Sequence, residues 1–568
     1  MKRRMLALLV IAVAGSAALL GACSRKTAGP APAPFVSDGA RRALAGVTAG
    51  FLSARINEFS ADAFEGRGTA TPGDAKARAW LVQQMTALGL EPGFGDGQWE
   101  QPFEVVGIKS KVPAQWTFEN ASRKKLSFKW LEEFVGNSGT QEARSRLSNA
   151  EVVFVGYGIQ APEFDWDDIK GADLKGKVLV MLNNDPDWDP ALFGGNARLY
   201  YGRWTYKYEQ AARLGAAAAI IIHTDASAGY PFQVVQSGWS GETFEVPAGD
   251  EPRLQFRAWL TEDAARSLVQ FGGQDLDALV AAARKPDFKP VPLGVKTSLT
   301  FDNDIQRGAS TANVAGLVRG SDPQLSREVV VYSAHHDHLG IGEPDANGDR
   351  IYNGALDNGV GVAEVLGIAK AFKALPEPPK RSVLFLFVAA EEQGTLGSAY
   401  YAQHPTFPPG RIAANINIDE GNVWGKAADV VFIGKGKSTL DAVVERYAQF
   451  QGRIVKPDQF PDRGYFYRSD QISFAQIGVP AFYQNMSTDF RSRPPGWGKQ
   501  QIEDFEEHRY HQPSDQVDPS WNYDGMLEDL QLAFYVGLDV ANADRMPEWM
   551  PGDEFEAARK AAIAALQD

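Results

Sequence analysis

The chain has 568 residues, a net charge of −14 and a hydrophobic content of 44%. A chain of this length and composition can bury a large core and is expected to form more than one domain. The acidic balance argues against a nucleic-acid partner, because binding to phosphate groups requires basic patches. A single cysteine excludes a disulfide framework.

The amino-terminal residues are typical of a targeting segment. Basic residues at positions 2–4 precede an apolar run over residues 5–20, which is too short to favour a membrane-spanning helix. The sequence L-G-A-C over residues 20–23 resembles the lipobox of bacterial lipoproteins. The resemblance implies a signal peptide over residues 1–22 and a lipid on Cys23, which would be the only attachment to a membrane. It also implies a location in the bacterial cell envelope, at the periplasmic side of the outer membrane.

Residues 23–37 are rich in proline and small residues and predict an extended linker. Folded structure is expected to begin near Asp38 with an amphipathic helix that reaches about Ser60. A second helix is predicted to be capped by Asp74 and to end at Gly89.

The sequence changes in character over residues 149–290, where short predicted strands alternate with loops rich in Asp, Pro and Gly. Strands are predicted over residues 152–157 and 177–182, and a helix over residues 206–214. Residues 216–222 either extend this helix or form a further strand. The segment is therefore a candidate second domain.

Three later strands are each followed by imidazole or acidic side chains. Residues 329–332, 382–390 and 411–418 are apolar runs, rich in β-branched and aromatic residues, that predict buried strands. Because the carboxyl ends of strands in an open α/β sheet lie along one edge, we expect the side chains that follow to converge. These side chains are His335, His336, Asp337, His338, Glu391, Glu392, Asp419 and Glu420.

Two further segments add candidate ligands. Asp357 lies in a glycine-rich turn before an apolar helix, and His511 lies in a late loop. Imidazole and carboxylate groups at the ends of strands are what a hydrolytic metal site requires. The alternative is a solvated polar loop with a chance histidine cluster, but the repetition at successive strands favours the metal site.

The order of these motifs between residues 329 and 518 resembles the M28 family of co-catalytic zinc peptidases. The motifs are H-x-D at 335–337, D-N-G at 357–359, E-E at 391–392, N-I-D at 417–419 and Y-H-Q-P-S-D at 510–515, with a further similar segment, G-Y-F-Y-R-S-D, at 464–470.

The sequence departs from the family pattern at two positions. Glu420 stands where relatives often have methionine, and Gln471 stands where many have histidine. Neither position is a ligand in the family, so the departures bear on substrate preference rather than on catalysis.

The resemblance implies a site with two zinc ions. It implies that His335 and Asp419 bind one ion, that Glu392 and His511 bind the other, and that Asp357 bridges both. Five such ligands without a thiolate suit zinc.

The resemblance also implies two catalytic roles. Asp337 would orient the imidazole of His335, and Glu391 would take a proton from water and deliver it to the leaving amine. The motifs do not identify the residues that bind the side chain of the substrate.

The expected fold is α/β, with a mixed, mostly parallel central sheet flanked by helices and with an inserted β-rich domain. Residues 38–148 are assigned to the amino-terminal part of the peptidase domain and residues 291–568 to its catalytic core. Residues 149–290 are assigned to the inserted domain, since they resemble a protease-associated (PA) domain.

The predicted function is that of a metal-dependent exopeptidase acting on peptides, most simply an aminopeptidase. Near the predicted ligands, acidic residues such as Glu420 and Asp470 outnumber basic ones, chiefly Arg350 and Arg468, which favours recognition of a free α-ammonium group. A carboxypeptidase of the same fold and a non-catalytic, receptor-like relative are the alternatives. The receptor-like relative would have lost ligands, whereas all five are present here.

Overall fold

The computed structural model describes residues 36–566. The predicted signal peptide, Cys23 and nearly all of the predicted linker lie outside the described residues.

Helices occur before, within and after the segment of residues 149–290. In chain order they are α1 Asp38–Ala45, α2 Ala49–Phe59, α3 Pro72–Ala87, α4 Trp204–Arg213, α5 Asp225–Ala228, α6 Phe232–Ser240, α7 Glu262–Phe271, α8 Leu276–Ala283, α9 Val360–Lys373, α10 Leu396–Gln403, α11 Leu440–Phe450, α12 Gln471–Gln476, α13 Trp497–His508, α14 Asp524–Asn542 and α15 Glu556–Ala564. No helix among residues 36–566 is long and apolar enough to cross a membrane.

The strands range from two residues to 28 residues. In chain order they are β1 Glu91–Pro92, β2 Glu100–Ser110, β3 Gln115–Asn120, β4 Lys125–Lys129, β5 Phe134–Asn137, β6 Arg144–Phe154, β7 Gln160–Ala161, β8 Trp166–Asp167, β9 Val178–Leu182, β10 Ala218–His223, β11 Thr243–Glu245, β12 Phe256–Thr261, β13 Val291–Val318, β14 Val329–His335, β15 Gly340–Ile341, β16 Ile351–Tyr352, β17 Ser382–Val388, β18 Ile412–Ile418, β19 Asp429–Ile433, β20 Ile454–Lys456 and β21 Ala481–Asn485.

The first helices begin at hydroxyl caps. Thr48 accepts a hydrogen bond from the Phe51 N–H and starts a new helix, so the single helix predicted up to Ser60 is two helices. The second predicted helix is capped by Thr71, not by Asp74, because the Thr71 hydroxyl accepts the Asp74 N–H.

The central sheet has the order β11–β2–β13–β17–β14–β18–β21–β19–β20. The pairs among β17, β14, β18 and β21 in its middle are parallel, whereas β13 and β19 run antiparallel to their neighbours in this middle part. Every residue of β14, β17 and β18 is buried, as expected for parallel strands covered on both faces. The predicted fold class, a mixed and mostly parallel sheet flanked by helices, is confirmed.

We call the packed interior around this sheet the first core. Helices α9 and α14 lie on one face of the sheet, where Phe372 packs against Phe534 with ring centroids 4.8 Å apart. The Tyr332 hydroxyl donates to the Ala533 carbonyl at 2.8 Å. A side chain at Gly537 would meet this hydroxyl at 1.8 Å, so α14 can approach the sheet only with glycine there.

A second core surrounds a second sheet formed by β3–β6, β9, β10, β12 and the first part of β13. Strand β13 joins both sheets, since residues 291–302 pair with β6 and residues 303–314 pair with β2. The sequence allowed residues 216–222 to be either an extension of a helix or a strand. In the structure most of them belong to β10, a buried strand between β9 and β12.

The second core begins before the predicted insertion over residues 149–290. Strand β3 pairs with β13, and the indole N–H of Trp116 donates to the Thr297 hydroxyl at 2.8 Å. Strands β3–β5, predicted as part of the peptidase domain, therefore pack in the second core, because their buried faces meet β12 and β13.

Candidate metal centre

Parallel strands of the central sheet place the predicted ligands along one edge. His335 is the last residue of β14, and Asp419 directly follows β18. Glu391 and Glu392 follow β17, whose last residue, Val388, lies opposite His335 in the register. Because the three strands run in the same direction, their carboxyl ends deliver these side chains to a common point.

One half of the centre is formed around His335. Its Nε2 lies 3.1 Å from Asp357 Oδ1 and 3.1 Å from Asp419 Oδ1. His335 and Asp357 are buried.

The other half is formed around His511. Its Nε2 lies 3.0 Å from Glu392 Oε2 and 3.4 Å from Asp357 Oδ2. The two carboxylate oxygens of Asp357 therefore face the two histidines. The structure brings together the five predicted ligands His335, Asp357, Glu392, Asp419 and His511, which we call the ligand cluster.

The donor set of the ligand cluster fits zinc. Within residues 36–566, no lysine or arginine forms an ion pair with Asp357, Glu392 or Asp419. Their only basic partners are histidines, whose protons a bound cation would replace. The buried Nε2 of His511 faces Glu392 and Asp357 without a hydrogen bond of suitable geometry, so it can bind a metal once its proton is released.

The charges of the ligand cluster strongly favour a cation. Burial lowers the pKa of His511, but Glu392 and Asp357 outweigh burial and raise this pKa to about 10. Likewise, burial raises the pKa of Glu392, but His511 and His338 outweigh it and lower this pKa to about 2. The carboxylates are thus held ionised, as ligands must be.

The turn that carries Asp357 is held from two sides. The Asp515 carboxylate accepts hydrogen bonds from the N–H groups of Leu356 at 2.9 Å and Asp357 at 3.1 Å. The Asn358 side chain donates to the Ile418 carbonyl at 3.1 Å, which ties the turn to the end of β18. These contacts fix the central ligand relative to both strands and the late loop.

The Asp337 carboxylate supports Glu391 and Glu392. It accepts hydrogen bonds from the N–H of Glu391 at 3.0 Å and the N–H of Glu392 at 3.3 Å. The predicted contact with His335 is different, because His335 Nδ1 lies 3.2 Å from the Asp337 backbone carbonyl but 3.8 Å from its carboxylate. The backbone carbonyl of Asp337 therefore orients the imidazole, and its side chain positions the two glutamates.

Glu391 lines the cavity beside the ligand cluster and is partly exposed. Burial raises its pKa well above the usual value; the His335 imidazole opposes this shift, and the carboxylates of Asp470 and Glu392 add to it. A carboxyl group with a raised pKa is suited to accept and return a proton near neutral pH.

The sequence placed His338 among the converging side chains but gave it no role in the site. The imidazole Nδ1 of the buried His338 lies 2.7 Å from Glu392 Oε1. The backbone N–H of His338 donates to the Arg67 carbonyl at 3.3 Å. The only local signal was the density of histidine at positions 335, 336 and 338.

Arg67 was also missed. Its buried guanidinium donates to the carbonyls of His336 at 3.0 Å, Asn353 at 2.6 Å and Gly354 at 2.9 Å. It therefore joins the loop after β14 to the turn that carries Asp357. The G-R-G sequence over residues 66–68 belongs to none of the motifs that predict the metal site.

The ligand cluster opens into a cavity of about 290 Å³ between the two cores. Trp204, Tyr230 and Trp239 of the second-core segment line one side. Arg468 and Tyr510 line the side of the first core. The cavity can therefore enclose a small, partly apolar ligand next to the ligand cluster.

Comparisons with known proteins find a family match in the part of the chain that carries the ligand cluster. Residues 313–535 match the model of Peptidase family M28. The probable leucine aminopeptidase 2 of Aspergillus oryzae is 29% identical over 311 residues, which cover 49% of this chain and 57% of that protein. Aminopeptidase YwaD of Bacillus subtilis is 26% identical over 195 residues, covering 34% and 36% of the two chains.

One further sequence match covers a shorter segment, and one structural match covers most of the chain. The vacuolar membrane protease of Clavispora lusitaniae is 33% identical over 115 residues, which cover 20% of this chain and 10% of that protein. The chain thus spans less than two thirds of the curated relatives it matches. The solved aminopeptidase from Aneurinibacillus sp. strain AM-1 has a TM-score of 0.52 at 18% identity, covering 89% of this chain and 97% of its own.

The family resemblance is confirmed for residues 313–535, which fall within the predicted catalytic core. The matched segment is therefore similar to Peptidase family M28, and the chain shares its fold with the solved aminopeptidase. The predicted location, lipid-anchored in a bacterial cell envelope, is contradicted, because several similar curated proteins are vacuolar membrane proteases of fungi. The predicted lipidation site, Cys23, lies outside the described residues.

Proposed function

We propose that the chain is a metal-dependent aminopeptidase that removes amino-terminal residues from peptides. The observation that carries the proposal is the ligand cluster, in which five metal-ligating side chains converge beside Glu391 at the wall of a cavity. The names of the relatives from Aspergillus oryzae and Bacillus subtilis, both aminopeptidases, support the same activity.

The ligand cluster would hold two zinc ions. His335 and Asp419 would bind one ion, Glu392 and His511 the other, and the two oxygens of Asp357 would be shared between them. When bound, zinc supplies a Lewis acid that polarises the peptide carbonyl and acidifies water.

Glu391 acts as general base and then as general acid. It accepts a proton from the attacking water and returns it to the amine that leaves. The Asp337 carboxylate fixes the backbone N–H groups of Glu391 and Glu392, so the base and the neighbouring ligand keep a constant relative position.

The partly exposed Glu420 is proposed to receive the free α-ammonium group of the substrate, and the buried Asp470 adds negative charge nearby. Burial raises the pKa of Asp470 to about 7, and burial together with Asp419 raises the pKa of Glu420 well above its usual value. An incoming ammonium group would favour the ionised form of both, so binding of the amino terminus compensates their enclosure.

The second core is proposed to be a PA-like lobe, inserted in the peptidase domain, that closes one side of the substrate cavity. Strand β10 lies between parallel β9 and β12, and helix α4 packs on this sheet. The residues that this lobe contributes to the cavity support its role in substrate binding.

The test compares one pentapeptide in unblocked, amino-acetylated and carboxyl-amidated forms. We expect the unblocked and amidated forms to be cleaved from the amino terminus and the acetylated form to resist, because only acetylation removes the α-ammonium group. Cleavage of the acetylated but not the amidated form would establish a carboxypeptidase instead. The Glu391→Gln protein, prepared in parallel, is the control against contaminating peptidases.

A further inference from the structure

The cavity contains two arginines without a carboxylate partner. Arg203 precedes helix α4 of the second core, and Arg468 lies in the first-core segment before α12. Among the described residues neither forms an ion pair, whereas Arg257 in the same cavity wall pairs with Glu245 at 2.8 Å. The difference identifies two guanidinium groups that form no direct ion pair with a carboxylate, although the charge of Glu506 acts on Arg468 from a distance.

Both guanidinium groups have buried donors that remain unused. Arg203 Nε and Arg468 Nη1 are buried and have no hydrogen-bond partner in the part of the chain that the structure describes. Arg468 Nη2 reaches only the Tyr510 hydroxyl, at 3.3 Å. Because a buried donor without an acceptor costs free energy, such groups point to a ligand that supplies the acceptor.

The surroundings leave the pair positively charged. Burial and the nearby Arg468 lower the pKa of Arg203 to about 10, so it stays protonated at neutral pH. Three acidic residues nearby are engaged with other groups, since Glu245 pairs with two arginines, Glu209 accepts the Tyr200 hydroxyl, and Glu506, whose charge acts on Arg468, pairs with Arg463. The pair therefore attracts an anion.

The pair lies close to the ligand cluster. The Tyr510 ring stacks on the His511 ring with centroids 3.9 Å apart, and Arg468 contacts the hydroxyl at the far end of that ring. Arg468 is thus separated from a metal ligand by one aromatic side chain. A peptide extends about 3.5 Å per residue, so a carboxylate one or two residues from the cleaved bond can reach the pair.

We propose that Arg203 and Arg468 form a subsite for a carboxylate of the peptide substrate. The carboxylate is either the carboxyl terminus of a di- or tripeptide or the side chain of an Asp or Glu residue next to the cleaved bond. Two guanidinium forks match the geometry of a carboxylate. The proposal rests on the aminopeptidase function proposed above, because it assigns a further part of the same cavity.

The experiment measures kcat/KM for leucyl-leucine, leucyl-leucine amide and leucyl-glutamate amide. We expect the wild-type protein to prefer at least one carboxylate-bearing peptide over leucyl-leucine amide by about 10- to 100-fold, the usual effect of a charged hydrogen bond. Preference for leucyl-leucine assigns the terminal carboxylate, and preference for leucyl-glutamate amide assigns the side chain. Equal values for all three peptides would overturn the subsite.

Variants then assign the preference to the pair. Arg203→Gln and, separately, Arg468→Gln should remove most of the preference while leucyl-leucine amide is cleaved at the wild-type rate, which also shows that the variant is folded. Arg213→Gln is the matched control, because Arg213 ends helix α4, which Arg203 precedes, and does not line the cavity. An equal loss on all three peptides in both Gln variants would contradict the proposal.

A fourth peptide separates the two proposals. Acetyl-leucyl-leucine should resist cleavage if the enzyme is an aminopeptidase. Its cleavage at the rate of leucyl-leucine, or failure of every unblocked dipeptide, would overturn the proposed function and with it this substrate assignment. Rapid cleavage of leucyl-leucine amide without any preference would overturn the subsite alone.

Discussion

Replacing His338 with leucine removes the hydrogen bond to Glu392 without leaving a large cavity. His338 Nδ1 lies 2.7 Å from Glu392 Oε1, and both side chains are almost fully buried. The other oxygen of Glu392 faces His511 at 3.0 Å. Without His338, Glu392 keeps its contact with His511 but loses the partner that holds its orientation.

The expected loss is confined to one half of the ligand cluster. A short, buried hydrogen bond to a charged group contributes about 1.5–3 kcal/mol, and loss of a partner that orients a metal ligand weakens metal binding about 10- to 100-fold. We expect this loss for the zinc ion that Glu392 and His511 are proposed to bind, and little change for the ion proposed to be bound by His335 and Asp419.

The assay is a zinc titration against a competing chelator, which resolves the two affinities. His338→Asn is the matched control, because the asparagine amide can donate from nearly the position of the imidazole Nδ1. We expect the Asn protein to bind zinc within a few-fold of the wild-type protein. Wild-type affinities in the Leu protein, or equal losses in the Leu and Asn proteins, would refute the role assigned to His338.

Three further predictions concern the base, the metal and a histidine of the second core. The Glu391→Gln protein should keep its metal and lose about 10²- to 10⁴-fold in kcat, because the general base is gone. The Glu392→Gln protein should instead have a lower occupancy of one zinc position. Equal metal loss in both proteins, measured by elemental analysis, contradicts these roles. Dialysis against a chelator should abolish peptide cleavage and added zinc should restore it; activity that survives complete removal of metal rules out the proposed chemistry. Burial lowers the pKa of His223 from 6.5 to about 4. As the pH falls, the unfolded state therefore binds a proton before the folded state does. The free energy of unfolding should decrease by up to about 3 kcal/mol as the pH drops from about 6.5 to about 4. Urea unfolding of wild-type and His223→Leu proteins at several pH values measures this loss, and parallel curves for the two proteins would exclude it.

The strands of the central sheet could be predicted closely because each is a continuous apolar run. The strand predicted over residues 382–390 is Ser382–Val388, and the one predicted over residues 411–418 is Ile412–Ile418. Such runs are buried on both faces between helices, so local composition suffices to find them. The apolar helix after Asp357 was found for the same reason.

Strand β13 could be predicted only in part. The apolar pattern over residues 312–319 predicts a short strand there, whereas the structure has one strand from Val291 to Val318. Its first half alternates between buried and exposed residues, a pattern that any half-exposed strand shares. Its place in the second sheet depends on distant partners such as Trp116, which no local pattern encodes.

The members of the ligand cluster could be proposed from the sequence because each follows a strand or lies in a recognisable motif. The role of His338 could not, because the direction of its side chain depends on the loop that Arg67 joins to the turn carrying Asp357. Arg203 carries no local signal at all. Its position relative to the ligand cluster follows from how the two cores pack, which a linear pattern does not contain.

The packing of the two cores also affects how Arg203 and Arg468 would select peptides that carry a carboxylate. Backbone and side-chain contacts fix the second core against the first: the Arg198 N–H donates to the Pro461 carbonyl at 2.9 Å, and the Gln233 amide donates to the Glu507 carbonyl at 2.7 Å. The Arg203 guanidinium is therefore held near Arg468 before any substrate arrives. Because a preorganised pair requires little ordering on binding, most of the interaction with a carboxylate appears as affinity.

The Gln233→Ala substitution removes the contact between Gln233 and Glu507. We expect it to weaken the preference for carboxylate-bearing dipeptides, while hydrolysis of leucyl-leucine amide persists. An unchanged preference would show that this contact does not position Arg203.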